Sequence, residues 1–376
     1  MYKVKLVYNE GEEKMRRGFS EIHLKSIILL IIAFVAFVVI TSVLIVGVGN
    51  NKYINMQKDK NKSSVVKSGD NKSNISKSGD NKSVMKYDLM PKVTKIRVFM
   101  TKENTIKELN LEDYVTGVVA SEMPVEFEIE AIKAQAVAAR TYALAHVTLL
   151  GGVGCKNGKG ANVCDTVHCQ VYMTKDERVK LWGRVKGEEY WNKIKNAVEA
   201  TAGEVLTYND NLVMEPYYFS TSSGETENSE DVFSTSVPYL RSVASPGEEK
   251  LKNSKSSKTF NYKELSQIIN KNYDNARVSS FNIRNQITII DRTQAGSVKN
   301  IKVGSITMTG SKFRTMLGLK SANFRIKFNS SSVEMDCSGY GHDVGMSQYG
   351  AEVMAKNGKK YVDILTDRKS TRLNSS

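Results

Sequence analysis

Four groups of residues in this 376-residue chain have the types and spacing that chemistry requires. Glu122 stands in Ser121-Glu122-Met123-Pro124, between the apolar run Val115 to Ala120 and a long Ala-rich segment. A carboxyl at such a boundary is half-buried, and desolvation raises its pKa, as a general acid requires. The alternative is a cap, because a carboxylate at the first turn of the following helix suits the helix dipole. The second group lies in GGVGCKNGKGANVCDTVHCQVY, where Cys155, Cys164, His168 and Cys169 read C-x8-C-x3-H-C. Three thiolates and an imidazole can close a tetrahedral zinc site. The competing reading is disulfide bonding, with Cys337 available for the odd thiol. The third group is Tyr218 followed, after Phe219, by Ser220, Thr221, Ser222 and Ser223. Hydroxyls and an aromatic suit sugar recognition, although the same residues also make turns. The fourth is His342 within GYGHDVGMSQYGA, in a Gly-rich turn of the kind that is exposed or approaches a ligand closely. Ser223 has no base or nucleophile-elbow context, and HExxH is absent, so serine-hydrolase and zinc-hydrolase readings find no support.

These stretches also carry a family likeness. SEMP at 121–124, KAQAVAARTYA at 133–143, YFSTSSG at 218–224 and GHDVGMSQYGA at 341–351 fall in one order and span most of residues 93–366. In them the chain resembles the SpoIID family, peptidoglycan lytic transglycosylases of endospore-forming bacteria, whose domain is shared by amidase enhancers. The resemblance implies that Glu122 is the catalytic acid/base. It implies that Arg140, of the AART motif, lies near Glu122, where a guanidinium binds substrate or holds a carboxylate. Gln135, Tyr218, Ser220, Thr221, Ser222, Ser223, His342 and Gln348 become cleft residues contacting substrate. For Gln135 a plain helix-surface role is the alternative. Clostridial members have a zinc site in this loop, matched here by Cys164, His168 and Cys169. Where that pattern has a histidine this chain has Gly158, so Cys155 or His146 would complete the shell. Such a zinc is structural, and catalysis needs no cofactor. Asp343 stands where the family has Gly.

The implied reaction cleaves MurNAc–GlcNAc bonds in glycan strands stripped of stem peptides and leaves 1,6-anhydro-MurNAc ends. The implied setting is engulfment during sporulation, with the domain outside the mother-cell membrane. The implied partners are an amidase or endopeptidase and a membrane recruiter. The rival reading is a non-catalytic, glycan-binding amidase enhancer.

The elements that position these residues are an opening strand, Lys92 to Met100, and a helix from Ile129 to Val147. In that helix Ile132, Gln135, Ala136, Ala139, Tyr142 and Ala143 share a face. A second helix lies within 175–202, stopped by Gly203, and a hairpin runs from Glu204 to Gly224 around Asn209-Asp210-Asn211. Residues 245–335 alternate helix and strand and show no chemistry of their own. A last helix begins near Ser347. The class expected is α+β: one mixed domain over 92–366, with room for two lobes about a cleft.

The appendages are read from composition. Residues 26–48 hold 23 residues without a charge, enough to cross the hydrocarbon core, and no A-x-A site follows. They are read as a retained single-pass anchor after a cytoplasmic segment at 1–25. Residues 49–91 read as a solvated basic linker: between 51 and 86 nine Lys face three Asp, and KSGDNKS occurs twice. Lysines flank the span on both sides, so charge does not orient it. The tail 367–376 reads as translated adapter sequence. The net charge of +14 fits an anionic membrane or wall polymer. Nucleic acid is not expected, since no recognised binding pattern occurs.

Overall fold

A computed structural model describes residues 82–86 and 92–366. The expected segment 1–25, the span 26–48, most of the linker and the tail lie outside the described residues. Among those described, no helix is long and apolar enough to cross a membrane.

In chain order the first elements are β1 (Lys82–Lys86), β2 (Lys95–Met100), β3 (Thr105–Asn110), α1 (Leu111–Glu122) and α2 (Ile129–Ala145). Then come β4 (Val163–Cys164), α3 (Lys175–Trp182), α4 (Arg184–Glu199), β5 (Glu204–Tyr208), β6 (Asn211–Leu212), β7 (Tyr218–Phe219) and α5 (Ser229–Phe233). The second half holds β8 (Lys255–Asn261), α6 (Tyr262–Asn272), β9 (Ile287–Arg292), β10 (Val298–Val303), β11 (Ile306–Thr309) and α7 (Gly310–Leu317). It closes with β12 (Phe324–Phe328), β13 (Ser332–Ser338), β14 (Met346–Ser347), α8 (Gln348–Lys356) and α9 (Tyr361–Thr366). The fold is a mixed α+β arrangement of small sheets and helices.

Two hydrophobic cores divide the described domain. The first surrounds α2, which packs against α1, α4, α8, α9 and β5. Thirteen of its seventeen residues are buried, so it is a central helix rather than an amphipathic surface one. Its run of alanines is what lets five elements approach it closely. The second core lies between α6, α7 and the sheets β11-β10-β9 and β12-β13-β8, with Phe313 stacked on Phe324 at 5.5 Å. The chain enters this half after Ser254 and leaves it after Ser338. The two crossings are pinned together where the Gly339 N–H donates to the Ser254 carbonyl at 2.7 Å.

Several boundaries differ from the sequence reading. The run Val115 to Ala120 is the middle of helix α1, and Glu122 is its last residue. The 175–202 helix is broken by Gly183, whose φ of 87° no helix interior allows. The hairpin ends at Leu212. Its turn is Asn209-Asp210, both at positive φ, as a two-residue type I′ turn requires. Tyr218–Phe219 belongs to a different pairing, parallel to Met346–Ser347. Residues 82–86, placed in the linker by composition, pair antiparallel with Glu204–Tyr208. Only tertiary pairing could rescue such a polar segment from disorder. The helix expected near Ser347 is α8, capped by the Ser347 hydroxyl accepting from Gly350 N–H at 3.1 Å.

Arg140, expected beside Glu122, is instead the largest fully buried side chain of the domain. Its Nε and Nη2 grip both oxygens of Glu112 at 2.8 and 2.6 Å, and its other donors reach the Glu204 and Val198 carbonyls. Glu112 opens α1 and Glu122 ends it, about 15 Å further along the axis. Arg140 therefore ties α2 to three other elements, α1, α4 and β5, and does not touch Glu122. We expect Arg140→Leu to cost about 3–5 kcal/mol, since it removes the buried charge partner of Glu112 and a donor to the Glu204 carbonyl. Urea melts check this, with Glu122→Gln, which removes no such network, as the control expected to keep wild-type stability.

Candidate active site and metal centre

Helix α1 delivers Glu122 at its C-terminal end, where the dipole opposes a carboxylate. This removes the capping alternative, which needs the opposite end of a helix. The side chain is half-buried. Burial raises its pKa, while the Val171 N–H, donating to Oε1 at 2.8 Å, pulls the other way. The net direction is upward, and no charged neighbour contributes. Oε2 has no hydrogen-bond partner among the described residues.

Amides and phenols surround it. The Gln348 Nε2 donates to the Glu122 carbonyl at 3.1 Å and lies 3.5 Å from the Gln135 Oε1. Gln135 is fully buried, and its own Nε2 has no partner. The Tyr218 hydroxyl donates to Gln170 Oε1 at 2.9 Å, and Gln170 Nε2 donates to the Tyr114 hydroxyl at 3.2 Å. Burial, and after it the Glu122 charge, raises the Tyr218 phenol well above its ordinary value. Glu122, Gln135, Tyr218 and Gln348 are thus brought together as the sequence reading expects. Gln170 and Val171 were missed; their position just after Cys169 is the only signal the sequence offers.

The remaining expected contacts are largely engaged within the fold. Thr221 and Ser222 are fully buried. Thr221 pairs its backbone with Tyr340, and the Ser222 N–H donates to Glu248 at 2.8 Å. Glu248, also missed, further accepts from the Ser245 and Ser347 hydroxyls at 2.5 Å each. The Ser220 hydroxyl lies 3.2 Å from that of Thr221. The Ser223 Oγ is buried without a partner. The hydroxyl cluster thus mainly holds the β7–β14 pairing in place rather than presenting one sugar-binding edge. His342 sits edge-on or tilted among the rings of Tyr217, Phe219 and Phe233 at centroid distances of 6.0, 5.7 and 5.4 Å. Burial, then the Arg314 charge, lowers it to about 4, so its imidazole is neutral at physiological pH. It supports the strand that carries Tyr218.

The Cys/His loop converges as the spacing predicts. The ligand atoms of Cys155, Cys164, His168 and Cys169 all lie within 4.8 Å of one another. His168 Nδ1 is 3.4, 3.8 and 3.5 Å from the three sulfurs in that order. A tetrahedral ion with bonds of about 2.3 Å to sulfur and 2.0 Å to nitrogen needs such edges to be about 3.6 Å. The four residues therefore fit a metal, and all four cysteines of the chain are free thiols. Burial pushes the Cys164 thiol up, but hydrogen bonds from Thr166, Cys169 and His168 outweigh it and bring it down to about 7. Cys155, not His146, completes the set. A Cβ at Gly158 would lie 2.8 Å from that of Cys155, so the cysteine fills the space a residue there would use. His146 Nδ1 is engaged with the Tyr142 carbonyl.

This loop is fastened to the rest of the site. Val163–Cys164 pairs with β2, and Tyr172 stacks on Tyr114 at 5.4 Å. Gly117 makes room for that ring, since a Cβ there would meet Tyr172 at 2.4 Å. Four consecutive residues thus do four tasks: Cys169 joins the metal set, Gln170 holds Tyr218, Val171 holds Glu122, and Tyr172 locks onto α1.

A family model described as Stage II sporulation protein, SpoIID, matches residues 100–208. Stage II sporulation protein D of Bacillus subtilis (strain 168) is 40% identical over 270 residues, covering 72% of this chain and 76% of that protein. The chain belongs to the SpoIID family. The Bacillus amyloliquefaciens protein of the same name is 39% identical over 270 residues, 72% of this chain and 75% of its own. An amidase enhancer of Bacillus subtilis (strain 168) is 30% identical over 297 residues, covering 66% of this chain and 38% of that protein.

Asp343, where the SpoIID resemblance expects Gly, has φ 63° and is buried with neither carboxylate oxygen hydrogen-bonded. Burial, followed by the charges of Glu227 and Glu248, raises its pKa well above the ordinary value. The folded state keeps the proton while the unfolded state loses it above about pH 4, so stability declines as pH rises from there. We expect Asp343→Asn to raise Tm at neutral pH, with the gain vanishing near pH 4. Melting curves across that range check it.

Proposed function

We propose that this protein is a membrane-anchored peptidoglycan lytic transglycosylase of sporulation, cleaving MurNAc–GlcNAc bonds in peptide-stripped glycan strands during engulfment. The observation that carries the reading is a lone, half-buried Glu122 whose pKa burial raises and whose ionisation no second carboxylate influences. Ordinary glycosidases divide the work between two carboxyl groups. An intramolecular transfer needs one. Protonated Glu122 gives its proton to the leaving glycosidic oxygen. The resulting carboxylate, steadied by the Val171 N–H, then takes the proton of the muramoyl 6-hydroxyl as that oxygen attacks its own anomeric carbon. The C1–O bond to the leaving sugar breaks, a C1–O6 bond forms, and the product is a 1,6-anhydro end with no water added. Of the neighbouring polar groups the part-exposed Tyr218 phenol offers a hydrogen bond to the sugar, while the buried Gln135 and Gln348 support the Glu122 backbone. The span at 26–48 would hold the domain outside the mother-cell membrane, and an amidase would strip stem peptides beforehand.

A glycan-binding, non-catalytic enhancer is the second reading, favoured by the alignment with the amidase enhancer. Product analysis separates the two. On purified peptide-free glycan, the wild-type protein should release 1,6-anhydro-muramoyl ends, detected by mass spectrometry. Glu122→Gln should lower that rate at least about a hundredfold while glycan binding persists. Wild-type release by the Gln variant, or none by the native protein, would overturn the enzyme reading.

Zinc is the ion proposed for Cys155, Cys164, His168 and Cys169. A closed four-ligand shell leaves no position for water, so its contribution is to order the loop that aims the Val171 N–H. Metal analysis should give one zinc per chain. Chelation should lower Tm and reduce the rate. It should also move the alkaline limb of the pH–rate profile upward, because the amide that favours the Glu122 carboxylate is lost.

A further inference from the structure

A cavity of about 340 Å3 opens where α1, α3 and α4 meet, apart from the Glu122 site. Thr116 and Asp113 line it from α1, six and nine residues before Glu122, about 9–14 Å back along the helix axis. Two aromatic side chains form its walls. Trp191 of α4 is largely packed into the first core, and Tyr172 lies on Tyr114. Polar groups share the lining. The Tyr172 hydroxyl, the Trp191 indole N–H and the exposed Asn192 amide have no hydrogen-bond partner among the described residues. Burial, then the Glu177 and Asp113 charges, raises the Tyr172 phenol, so it keeps its proton and can donate. The Asp113 Oδ2 accepts from the Asn110 Nδ2 at 3.2 Å, while its Oδ1 is unengaged among the described residues. The two lysines of the lining are each matched by an acid: Lys175 by Glu188 at 2.9 Å and Lys195 by Glu199 at 3.5 Å. With Asp113 added, the cavity has no positive excess to draw an anion. It offers aromatic walls, one carboxylate and neutral donors and acceptors in one small space. That combination suits a pyranose: its C–H face lies on an aromatic ring, and its hydroxyls bond to a carboxylate and an amide.

We propose that this cavity is a second saccharide site, taking one neutral N-acetylated aminosugar unit away from the bond that is cut. Asp113 accepts from sugar hydroxyls, the Asn192 amide and the Tyr172 hydroxyl meet the acetamido group, and Trp191 and Tyr172 pack on the C–H face. Tyr172 directly follows Val171, so a sugar held here bears on the segment that aims Glu122. The unit belongs either to the strand being cut or to a released fragment, and both present the same chemistry. The choice of an aminosugar rests on the glycan reading of Glu122, whereas the lining by itself asks only for a neutral polyhydroxylated ring.

The test uses the full protein carrying Glu122→Gln, so that no strand is consumed, and reads Trp191 by fluorescence. The chain has two tryptophans, so Trp182→Phe leaves Trp191 as the single indole. Calorimetry on the protein that keeps Trp182 gives the affinities without that substitution. The probes are N,N′-diacetylchitobiose, a peptide-free glycan oligosaccharide and ethanolamine. The disaccharide should shift the Trp191 emission and bind with a Kd of about 1 mM. Asn192→Ala, with Tm unchanged, and Tyr172→Phe, which keeps the ring, should each weaken it about fivefold. If the occupant is the strand, the same variants weaken the long oligosaccharide as well; if it is a released fragment, they leave the long oligosaccharide unaffected. A silent Trp191, a disaccharide affinity that neither variant changes, or an equal response to ethanolamine would overturn the site. Release of anhydro ends is measured separately, so a protein that fails the catalytic reading can still pass or fail this one.

Discussion

The hydrogen bond from the Val171 amide to Glu122 is the contact around which the site is built. A carboxyl at the C-terminus of a helix has no favourable dipole and here has no cationic partner. Left to burial alone it would be held neutral and loosely aimed. One backbone donor fixes its direction without adding a charge, which leaves the proton transferable both ways. That donor comes from a Gly-rich loop, and such a chain has no order of its own. The Cys/His set, the β2 pairing and the Tyr172–Tyr114 stack supply the order. The Cys/His set and the amide donor to Glu122 are therefore one construction, two residues apart in the chain.

Buried polar groups elsewhere serve the same end. Arg140 binds Glu112 with both ends of its fork and closes α1, α2 and β5 around the first core. Glu248 gathers three donors from the Ser222, Ser245 and Ser347 segments, and so sets the pairing that presents Tyr218. Each arrangement is costly to break, because removal of either partner leaves a desolvated group unpaired. Motifs that look like substrate contacts in the sequence can be required by the fold alone. Arg140, Thr221 and Ser222 are of that kind: their side chains or backbones are consumed by the fold.

Much of this was legible beforehand. The central helix, the helix after Ser347 and the convergence of Cys155, Cys164, His168 and Cys169 follow from periodicity, capping chemistry and ligand spacing, all of which are local. What escaped was non-local. Val115 to Ala120 is too short and too apolar to distinguish a strand from a buried helix. The strand Lys82–Lys86 is polar and is ordered by pairing with Glu204–Tyr208, far along the chain. The sheet β12-β13-β8 draws its strands from segments separated by more than sixty residues, so its outward face exists in no single stretch.

The amino-acid sequence by itself determined which residues could do chemistry: a carboxyl at an apolar boundary, four soft ligands in one loop, and a run of alanines able to bury a helix among five neighbours. Tertiary structure alone decided their circumstances. It put Glu122 at the end of a helix rather than the beginning, chose Cys155 over His146, withdrew Arg140 into the core, and supplied Gln170 and Val171. The physical reason is that ligand identity and helix periodicity are encoded within a few residues. A carboxyl's protonation, by contrast, depends on what surrounds it in space, and here those surroundings come from residues 122, 135, 171, 218 and 348.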